Sequence, residues 1–341
     1  MFRVSVIPGD GIGPVVTRHA LRLVEALADT LGVGFEFIEA PAGDKMAAET
    51  GEALPRDSLK KIKGSDACLK GPVGETAREV IIYLRRSLDL YANIRPFKTY
   101  KGVKTAWSGV DFVIVRENTE DLYKGVEDVG LDHAVSLLVI TRRGTERISR
   151  MAQRLAMERR RKVTVVHKAN VLSSYGFFRD IAVKVLREGG IEVEEMYVDN
   201  AAYQMVVNPA TFDVVLTPNM FGDILSDLAA GITGSIGLAG SANIGEHMGI
   251  FEPVHGSAPT LNPRFANPIA TILSASYLLG WLGSTRRDER LIAASKAIEG
   301  AVTSLLDSAK TLTPDLGGTA TGEEVTDAIL DYALKAVSKG R

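Results

Sequence analysis

Apolar residues along the chain recur in two patterns, which predict alternating strands and helices. Short apolar runs such as 2–7 are typical of buried strands, whereas Val, Leu and Ala at helical spacing over 14–31 indicate an amphipathic helix. Further strands are predicted at 34–39, 66–69, 111–116, 163–167 and 213–216. Further helices are predicted at 58–62, 80–90, 144–159, 177–188, 222–228, 270–279 and 291–306.

The alternation of strands with helices predicts an α/β fold. A length of 341 residues favours about two domains. No Ser/Pro-rich linker separates two halves, so we expect the chain to cross between the domains more than once. The glycine-rich stretch 231–249 is the candidate crossing or hinge.

The composition removes several classes of protein. Hydrophobic residues make up 45% of the chain and charged residues 24%, which excludes a disordered chain. With 40 Lys and Arg against 42 Asp and Glu, the net charge is −2, and we expect binding neither to nucleic acid nor to a membrane. The single cysteine, Cys68, excludes an internal disulfide, fits a cytoplasmic protein and is expected in the core.

Gly9, Gly11 and Gly13 lie between the first predicted strand and the first predicted helix, where a phosphate-binding turn would be found. Their spacing differs from the G-x-G-x-x-G pattern of dinucleotide-binding folds. A tight structural turn and a ligand-facing loop are both compatible with this pattern.

Asp223 and Asp227 are four residues apart, so on a helix they lie on one face and repel each other. A hard divalent cation, Mg²⁺ or Mn²⁺, would relieve this repulsion, and Asp199 could complete its ligands. A solvated acidic helix start is the alternative interpretation.

Arg85, Arg95 and Arg116 occur in apolar surroundings. Buried guanidinium groups need anionic partners, and three of them could hold a substrate with two carboxylates. Structural ion pairs with Asp89 or Glu117 are the competing interpretation.

Tyr123 and Lys168 follow apolar strands, where α/β proteins place site residues. A lysine near a cation has a lowered pKa and can act as a base, and a tyrosine can transfer a proton. Each residue taken alone also fits a structural role. The five histidines show no spacing typical of metal ligands.

Taken together, these segments resemble the β-decarboxylating dehydrogenases, which act on isopropylmalate, isocitrate, homoisocitrate or tartrate. The matching stretches, in order, are IPGDGIGP, LRRSLDLYANIRP, IVRENTEDLY, HKANVL, YVDNAA, NMFGDILSDLAAG, FEPVHGSAP, ANP and TPDLGG. The resemblance implies an isopropylmalate dehydrogenase-like, two-domain α/β fold that is not a Rossmann fold. It places a cofactor-binding first domain at 1–98 plus 234–341, and a second domain, for dimerisation and part of the active site, at 99–233.

The resemblance also implies a role for each matching residue. Arg85, Arg95 and Arg116 would bind the malate carboxylates, and Tyr123 would reprotonate the enolate after CO₂ is lost. Asp223, Asp227 and the partner subunit's Asp199 would hold Mg²⁺ or Mn²⁺. Lys168 would take the hydroxyl proton as hydride leaves for nicotinamide. Because the family's active site is shared in a homodimer or homotetramer, Lys168 and Asp199 would reach into the partner's cleft.

The expected cofactor is NAD, with NADP as the alternative. The cofactor-binding residues implied by the resemblance are Asn170, Glu252, His255, Gly256, Ser257, Ala258 and Asn267. One departure concerns Thr260, which stands where NAD-dependent members usually have Asp, in a short loop whose Arg264 could contact a 2′-phosphate. Thr260 and Leu261 also differ from the Lys-Tyr pair of NADP-dependent isocitrate dehydrogenases, and TPDLGG resembles the NAD class.

The substrate is predicted from the residues that precede Arg85. Ile81 and Ile82 lie four and three positions before it and share its helical face. An apolar pair suits the isopropyl group of 3-isopropylmalate and would desolvate a carboxylate, so leucine biosynthesis is favoured. Arg78, one turn further back, could reach a longer substrate's carboxylate, so homoisocitrate or isocitrate oxidation, or dual specificity, stays open. A non-catalytic regulatory subunit is disfavoured because the metal and proton-transfer residues are all present.

Overall fold

The computed structural model describes residues 1–339, which form a mixed α/β structure around a large sheet. The strands are β1 (Phe2–Ile7), β2 (Phe35–Glu39), β3 (Ala67–Lys70), β4 (Ala92–Lys98), β5 (Asp111–Glu117), β6 (Glu127–Val129), β7 (Ala134–Ser136), β8 (Lys162–His167), β9 (Glu192–Tyr197), β10 (Val214–Thr217), β11 (Gly240–Ile244) and β12 (Gly249–Pro253). The α-helices are α1 (Gly13–Leu31), α2 (Asp44–Thr50), α3 (Arg56–Lys63), α4 (Tyr83–Ser87), α5 (Arg142–Met157), α6 (Ser173–Glu188), α7 (Val198–Val207), α8 (Asn219–Thr233), α9 (Ile269–Arg286), α10 (Glu289–Ser308) and α11 (Gly322–Lys339).

Ten strands form one continuous sheet in the order β2-β1-β3-β12-β11-β4-β5-β10-β8-β9, while β6 and β7 form a separate hairpin. The sheet is parallel except along β12, β11, β4 and β5, where three consecutive pairs are antiparallel. Strands from 2–98 and 240–253 make one half, and strands from 111–217 make the other. The halves meet where β4 pairs with β5, from Ala92 opposite Glu117 to Lys98 opposite Asp111. The predicted domain limits fall at the ends of β4 and α8, and the division into domains stays a prediction.

Helices on the faces of the sheet bury its apolar side chains. α9 packs on β3, β11 and β12, and α1, α10 and α11 pack beside it. Cys68 is fully buried in β3, as the sequence predicts. Within residues 1–339, no helix combines the length and apolar character that crossing a bilayer requires.

The predicted strands appear as β1, β2, β3, β5, β8 and β10, each within one residue at either end. The helix predicted at 80–90 is wrong in detail. A π-helical turn at Arg78–Ile82 leads into α4, which ends at Ser87. The stretch 231–249 carries the chain from α8 into β11, and every residue of β11 is buried, so part of this apparent breaker region is core strand.

Candidate active site

A cavity of about 670 Å³ opens between the π-helical turn with α4, the end of β12, α8 and the short helical turn Leu122–Lys124. Ten of the residues singled out from the sequence line it. They are Arg78, Ile81, Ile82, Arg85, Arg95, Tyr123, Asp223, Glu252, His255 and Gly256. This cavity therefore gathers most of the candidate chemistry in one place.

Arg85 is held in the cavity wall by a buried polar network. Its Nη2 lies 3.1 Å from Glu252 Oε1, and its Nε donates to Asn243 Oδ1 at 3.0 Å. Glu252 Oε2 also accepts from Lys70 Nζ at 2.7 Å. Burial alone would raise the pKa of Glu252, but the charges of Lys70 and Arg85 outweigh it and lower the pKa to about 2. Glu252 is thus an anionic anchor that fixes where Arg85 stands.

Arg95 and Arg116 converge on the carboxylate of Asp223. The Asp223 Oδ1 atom lies 2.5 Å from Arg116 Nη1 and 3.4 Å from Arg95 Nη1. Neither Asp89 nor Glu117 pairs with these arginines, so the ion pairs considered from the sequence are wrong in their partners. Arg116 is fully buried, and its Nη2 has no hydrogen-bond acceptor within residues 1–339. An unpaired buried donor of this kind is suited to an anionic oxygen of a ligand.

Tyr123 completes the group around Asp223. Its hydroxyl donates to Asp223 Oδ2 at 2.6 Å, and the Arg116 guanidinium lies 5.0 Å from the centre of its ring. Burial raises the pKa of Tyr123, and the hydrogen bond to Asp223 raises it further. Tyr123 is therefore protonated at neutral pH and can deliver a proton.

Asp223 and Asp227 lie one turn apart on α8, and their pKa values shift in opposite directions. For Asp223, burial favours the neutral acid but the charges of Arg116 and Arg95 prevail, and the pKa is lowered. For Asp227, burial prevails and the pKa is raised, to which the charge of Asp223 contributes. Two hard carboxylates under mutual repulsion are a donor set that fits a divalent cation.

The three expected metal ligands are not brought together within the described residues. Within residues 1–339, no three His, Cys, Asp or Glu side chains come close enough together to hold a metal ion. Asp199, the expected third ligand, is instead paired with Lys168, whose Nζ lies 2.7 Å from its Oδ1. Neither residue lines the cavity, and the Asp199 side chain is 66% exposed. The hydrogen bond from Lys168 lowers the pKa of Asp199.

Ile81 and Ile82 form an apolar part of the cavity wall beside Arg85. Ile81 is buried in the core cluster that contains Leu84 and Ile250, and Ile82 packs against this cluster. Arg78 also lines the cavity, but its Nη2 is paired with Glu127 Oε2 at 2.8 Å.

The expected cofactor-binding segment packs on the glycine turn after β1. Ile12 N donates to Ser257 O at 3.0 Å, and a Cβ at Gly11 would lie 2.1 Å from that oxygen. Gly11 also has a φ of +55°, which favours glycine. Close packing against the segment at 255–258 therefore accounts for a glycine at position 11, and the turn holds this segment in place.

The remaining cofactor candidates are placed as follows. The Nδ1 atom of His255 contacts Gly256 O, and its Nε2 has no partner within residues 1–339. Because burial lowers the pKa of His255, the ring is neutral at neutral pH and can form a hydrogen bond with a ligand. Asn267 donates to Asp315 Oδ2 at 3.0 Å. Ala258 and Asn170 are exposed. Glu252 has its carboxylate occupied by Lys70 and Arg85.

Sequence reasoning missed Lys70, Asn243 and Glu127. Lys70 is the last residue of an apolar strand, and a charged residue at that position could have been recognised as a candidate site residue. Asn243 lies within the glycine-rich stretch and carried no signal, yet its side chain joins Arg85, Asn93 and Glu252.

The sequence profile of the isocitrate/isopropylmalate dehydrogenase family matches residues 3–329, so the chain belongs to this family of β-decarboxylating dehydrogenases. Membership implies, in general terms, a nicotinamide cofactor and a divalent metal. The fold predicted from the resemblance is confirmed, because solved structures of the family superimpose on the whole chain.

Two relatives and one solved structure show the range of similarity. The 3-isopropylmalate dehydrogenase of Sulfurisphaera tokodaii is 46% identical over 96% of this chain and 98% of its own. The isocitrate/homoisocitrate dehydrogenase of Thermus thermophilus is 44% identical over 98% of this chain and 99% of its own. The crystal structure of isocitrate dehydrogenase from Methylococcus capsulatus has a TM-score of 0.90 at 39% identity, covering 98% of this chain and 100% of its own.

Proposed function

We propose that the protein oxidises and decarboxylates (2R,3S)-3-isopropylmalate to 4-methyl-2-oxopentanoate and CO₂, with NAD as oxidant and Mg²⁺ or Mn²⁺ as the metal. The observation that carries this proposal is the apolar wall of Ile81 and Ile82 beside Arg85. This reaction is a step of leucine biosynthesis, and we place it in the cytoplasm.

The lining of the cavity combines guanidinium groups with apolar side chains. Arg85 and Arg95 line the cavity and would bind the malate carboxylates. Arg116 lies behind the lining, fully buried beside Asp223, and its unpaired Nη2 would join them. The isopropyl group would then lie against Ile81 and Ile82. A carboxylate in the same position would lose its hydration without a buried counter-charge, which costs free energy.

When bound, nicotinamide supplies the oxidant and a divalent cation supplies Lewis-acid polarisation. The chain itself positions the substrate and moves protons. Tyr123 holds its proton at neutral pH and would deliver it to C3 after CO₂ is lost. Asp223 accepts the hydrogen bond that aims the Tyr123 hydroxyl.

We propose that Lys168 removes the hydroxyl proton in the cleft of a second copy of the chain. Lys168 and Asp199 lie together outside their own cavity, which supports a shared site. Large exposed apolar side chains follow Lys168 in the chain at Val171 and Leu172, and others lie on α7 with Asp199, at Tyr203 and Val206, and on the neighbouring α8, at Ile224. A homodimer, or a tetramer built from it, would bury this surface.

The domain division at 1–98 plus 234–341 and 99–233 belongs to the same proposal. It is supported by the two halves of the sheet, which meet only at β4 and β5. The cavity draws Arg85 and Glu252 from one half and Tyr123 and Asp223 from the other. A change in the angle between the halves would therefore open or close the site.

NAD is favoured over NADP by the charges near Arg264. Arg264 lines a surface cavity together with Arg18, Glu323 and Glu324. The two arginines are balanced by the two carboxylates, so this cavity carries no net positive charge that would select the 2′-phosphate of NADP. NADP stays the alternative, because Thr260 lacks the carboxylate that would bond the ribose hydroxyls of NAD.

Homoisocitrate or isocitrate is the second candidate substrate, and Arg78 favours it. Arg78 lines the cavity, and its side chain is 71% exposed. Exposed ion pairs such as that between Arg78 and Glu127 contribute only about 0–1 kcal/mol to stability. A third substrate carboxylate could draw Arg78 from Glu127.

The proposal is tested by assaying 3-isopropylmalate, homoisocitrate and isocitrate, each with NAD and with NADP, at saturating Mg²⁺ or Mn²⁺. We expect 3-isopropylmalate with NAD to give the highest kcat/KM. A tricarboxylate as the best substrate would show that Arg78, and not the isoleucine pair, sets specificity. No turnover of any of the three would overturn the proposed reaction.

A further inference from the structure

A second group of cations lies near the start of α5, and of its members Arg86 also lines the active-site cavity. It lines a cavity of about 470 Å³, which we call the α5 cleft, defined by Arg86, Lys124, Arg143 and Arg147 together with the acids Asp89 and Glu120. Asp89, Arg143 and Arg147 also line an adjoining cavity of about 690 Å³, which contains Arg154. No step of the proposed reaction uses this region.

The α5 cleft carries an excess of positive charge. Both of its acids are already engaged, because Asp89 pairs with Arg147 at 2.6 Å and Glu120 accepts from Thr141 N at 2.8 Å. The side chains of Arg86, Lys124 and Arg143 make no ion pair or hydrogen bond within residues 1–339. The four cations of the cleft face two acids, which leaves an excess of two positive charges around one concave surface and attracts anions.

The guanidinium group of Arg147 is held in place by neighbouring side chains. Its Nη2 donates to Thr119 Oγ1 at 2.9 Å, and its guanidinium lies 4.6 Å from the centre of the Tyr91 ring. Its Nε is shielded from solvent and has no acceptor within residues 1–339. A guanidinium held in this way loses little freedom when it binds an oxyanion.

We propose that the α5 cleft is a binding site for a small anion that carries two or more phosphate or carboxylate groups. A single negative charge would balance only half of this excess, whereas a polyanion could balance all of it and contact Arg143, Arg147 and Lys124 together. Guanidinium groups bind both phosphate and carboxylate oxygens through paired N–H donors, so the two ligand chemistries share one site.

The cleft is joined to the substrate site through short covalent connections. Arg86 lines both cavities and follows Arg85, and Lys124 follows Tyr123. Asp89 lies in the turn between α4 and β4, with a φ of +49° that is strained for a residue other than glycine. An anion that competes for Arg147 would release Asp89 and shift this turn, so occupation of the cleft is expected to change KM for the substrate more than kcat.

The test is calorimetric titration with pyrophosphate, without divalent cations, of the wild-type protein, the double variant Arg143→Ser/Lys124→Ser, and Arg142→Ser. Arg142 precedes Arg143 at the start of α5 but lines neither cavity, so Arg142→Ser is the matched control. We expect the double variant to bind at least ten times more weakly, and Arg142→Ser to bind as the wild type does. Equal binding by the double variant would place pyrophosphate elsewhere and overturn the proposal, as would an absence of binding by the wild type and by both variants.

Tricarballylate, a tricarboxylate with no hydroxyl to oxidise, distinguishes the ligand sources. Binding of tricarballylate that the double variant weakens would assign carboxylates to the cleft, and binding of pyrophosphate alone would assign phosphates. In assays at constant free Mg²⁺, a ligand that binds the α5 cleft should change KM for the substrate in the wild type and not in the double variant. Binding with an unchanged KM would overturn the connection to the substrate site. The binding outcomes are measured without turnover and do not depend on the proposed substrate, whereas the KM outcomes rest on the proposed function.

Discussion

The hydroxyl of Tyr123 donates a hydrogen bond of 2.6 Å to Asp223, the carboxylate on which Arg95 and Arg116 converge. The proposed proton donor is thereby tied to the carboxylate that fixes two arginines, Arg95 and Arg116, which we propose bind the substrate. Asp223 stays ionised because those charges lower its pKa, while burial keeps Tyr123 protonated. The surroundings therefore widen the ordinary difference in pKa between a carboxylic acid and a phenol, and the proton of this contact stays on Tyr123.

Replacing Tyr123 with Phe removes the proton donor and leaves the aromatic ring in place. We expect kcat to fall by about 10² to 10³, because a positioned general acid contributes on that order, with KM nearly unchanged. Tyr83→Phe is the matched control, since Tyr83 lines the same cavity but is largely exposed. A kcat for Tyr123→Phe within threefold of wild type would show that another group delivers the proton.

Replacing Glu252 with Gln leaves Lys70 and Arg85 buried without their counter-charge. Breaking a buried ion pair in this way costs about 3–5 kcal/mol, so we expect a clearly lower free energy of unfolding in urea. Glu36→Gln, which breaks the exposed pair with Arg3, should cost under about 1 kcal/mol. Similar losses for both variants would contradict the role given to Glu252.

Glu252 also predicts how stability depends on pH. Its pKa is about 2 in the folded chain against an ordinary value of 4.5, so the unfolded chain binds the proton more readily. Its contribution to stability, about 3 kcal/mol, is therefore present above pH 4.5 and is lost as the pH falls toward 2. Urea unfolding between pH 5 and pH 3 should show a weaker pH dependence in Glu252→Gln than in the wild type, and identical slopes would refute this assignment.

A mixture of two inactive variants tests the shared active site. Lys168→Ala lacks the base and Tyr123→Phe lacks the proton donor, so each homodimer should be nearly inactive while still binding substrate. In a co-expressed heterodimer, the Lys168→Ala chain contributes Tyr123 and receives the partner's Lys168, which restores one site of two. We expect about a quarter of wild-type activity in a statistical mixture. No recovery in a mixture shown to contain heterodimers would place Lys168 in its own chain's cleft.

Releasing Arg78 should broaden specificity. Glu127→Gln removes the carboxylate that holds Arg78, and the freed guanidinium could reach a third substrate carboxylate. We expect kcat/KM for homoisocitrate to rise several-fold while that for 3-isopropylmalate changes little. Asp128→Asn, at the exposed neighbouring position, is the control, and an equal response of both variants would assign the effect to surface charge.

The local pattern of the sequence was sufficient for much of the sheet, and it identified Arg85, Arg95 and Arg116 as buried. It could not supply their partners, because Glu252 and Asn243 lie more than 150 residues from Arg85 and reach it only through the sheet. β9 was missed because its sequence, EVEEMY, is largely acidic on an edge strand. The π-helical turn at Arg78–Ile82 was missed because a change in hydrogen-bond pattern leaves little trace in apolar spacing.

The central claim is that Ile81 and Ile82 select an apolar substituent. It is tested most directly by the ratio of kcat/KM for 3-isopropylmalate to that for homoisocitrate, measured on the wild-type enzyme with NAD. An unpaired carboxylate against this wall should cost about 3 kcal/mol or more, so we predict a ratio of at least about 100. A ratio near or below one would contradict the account.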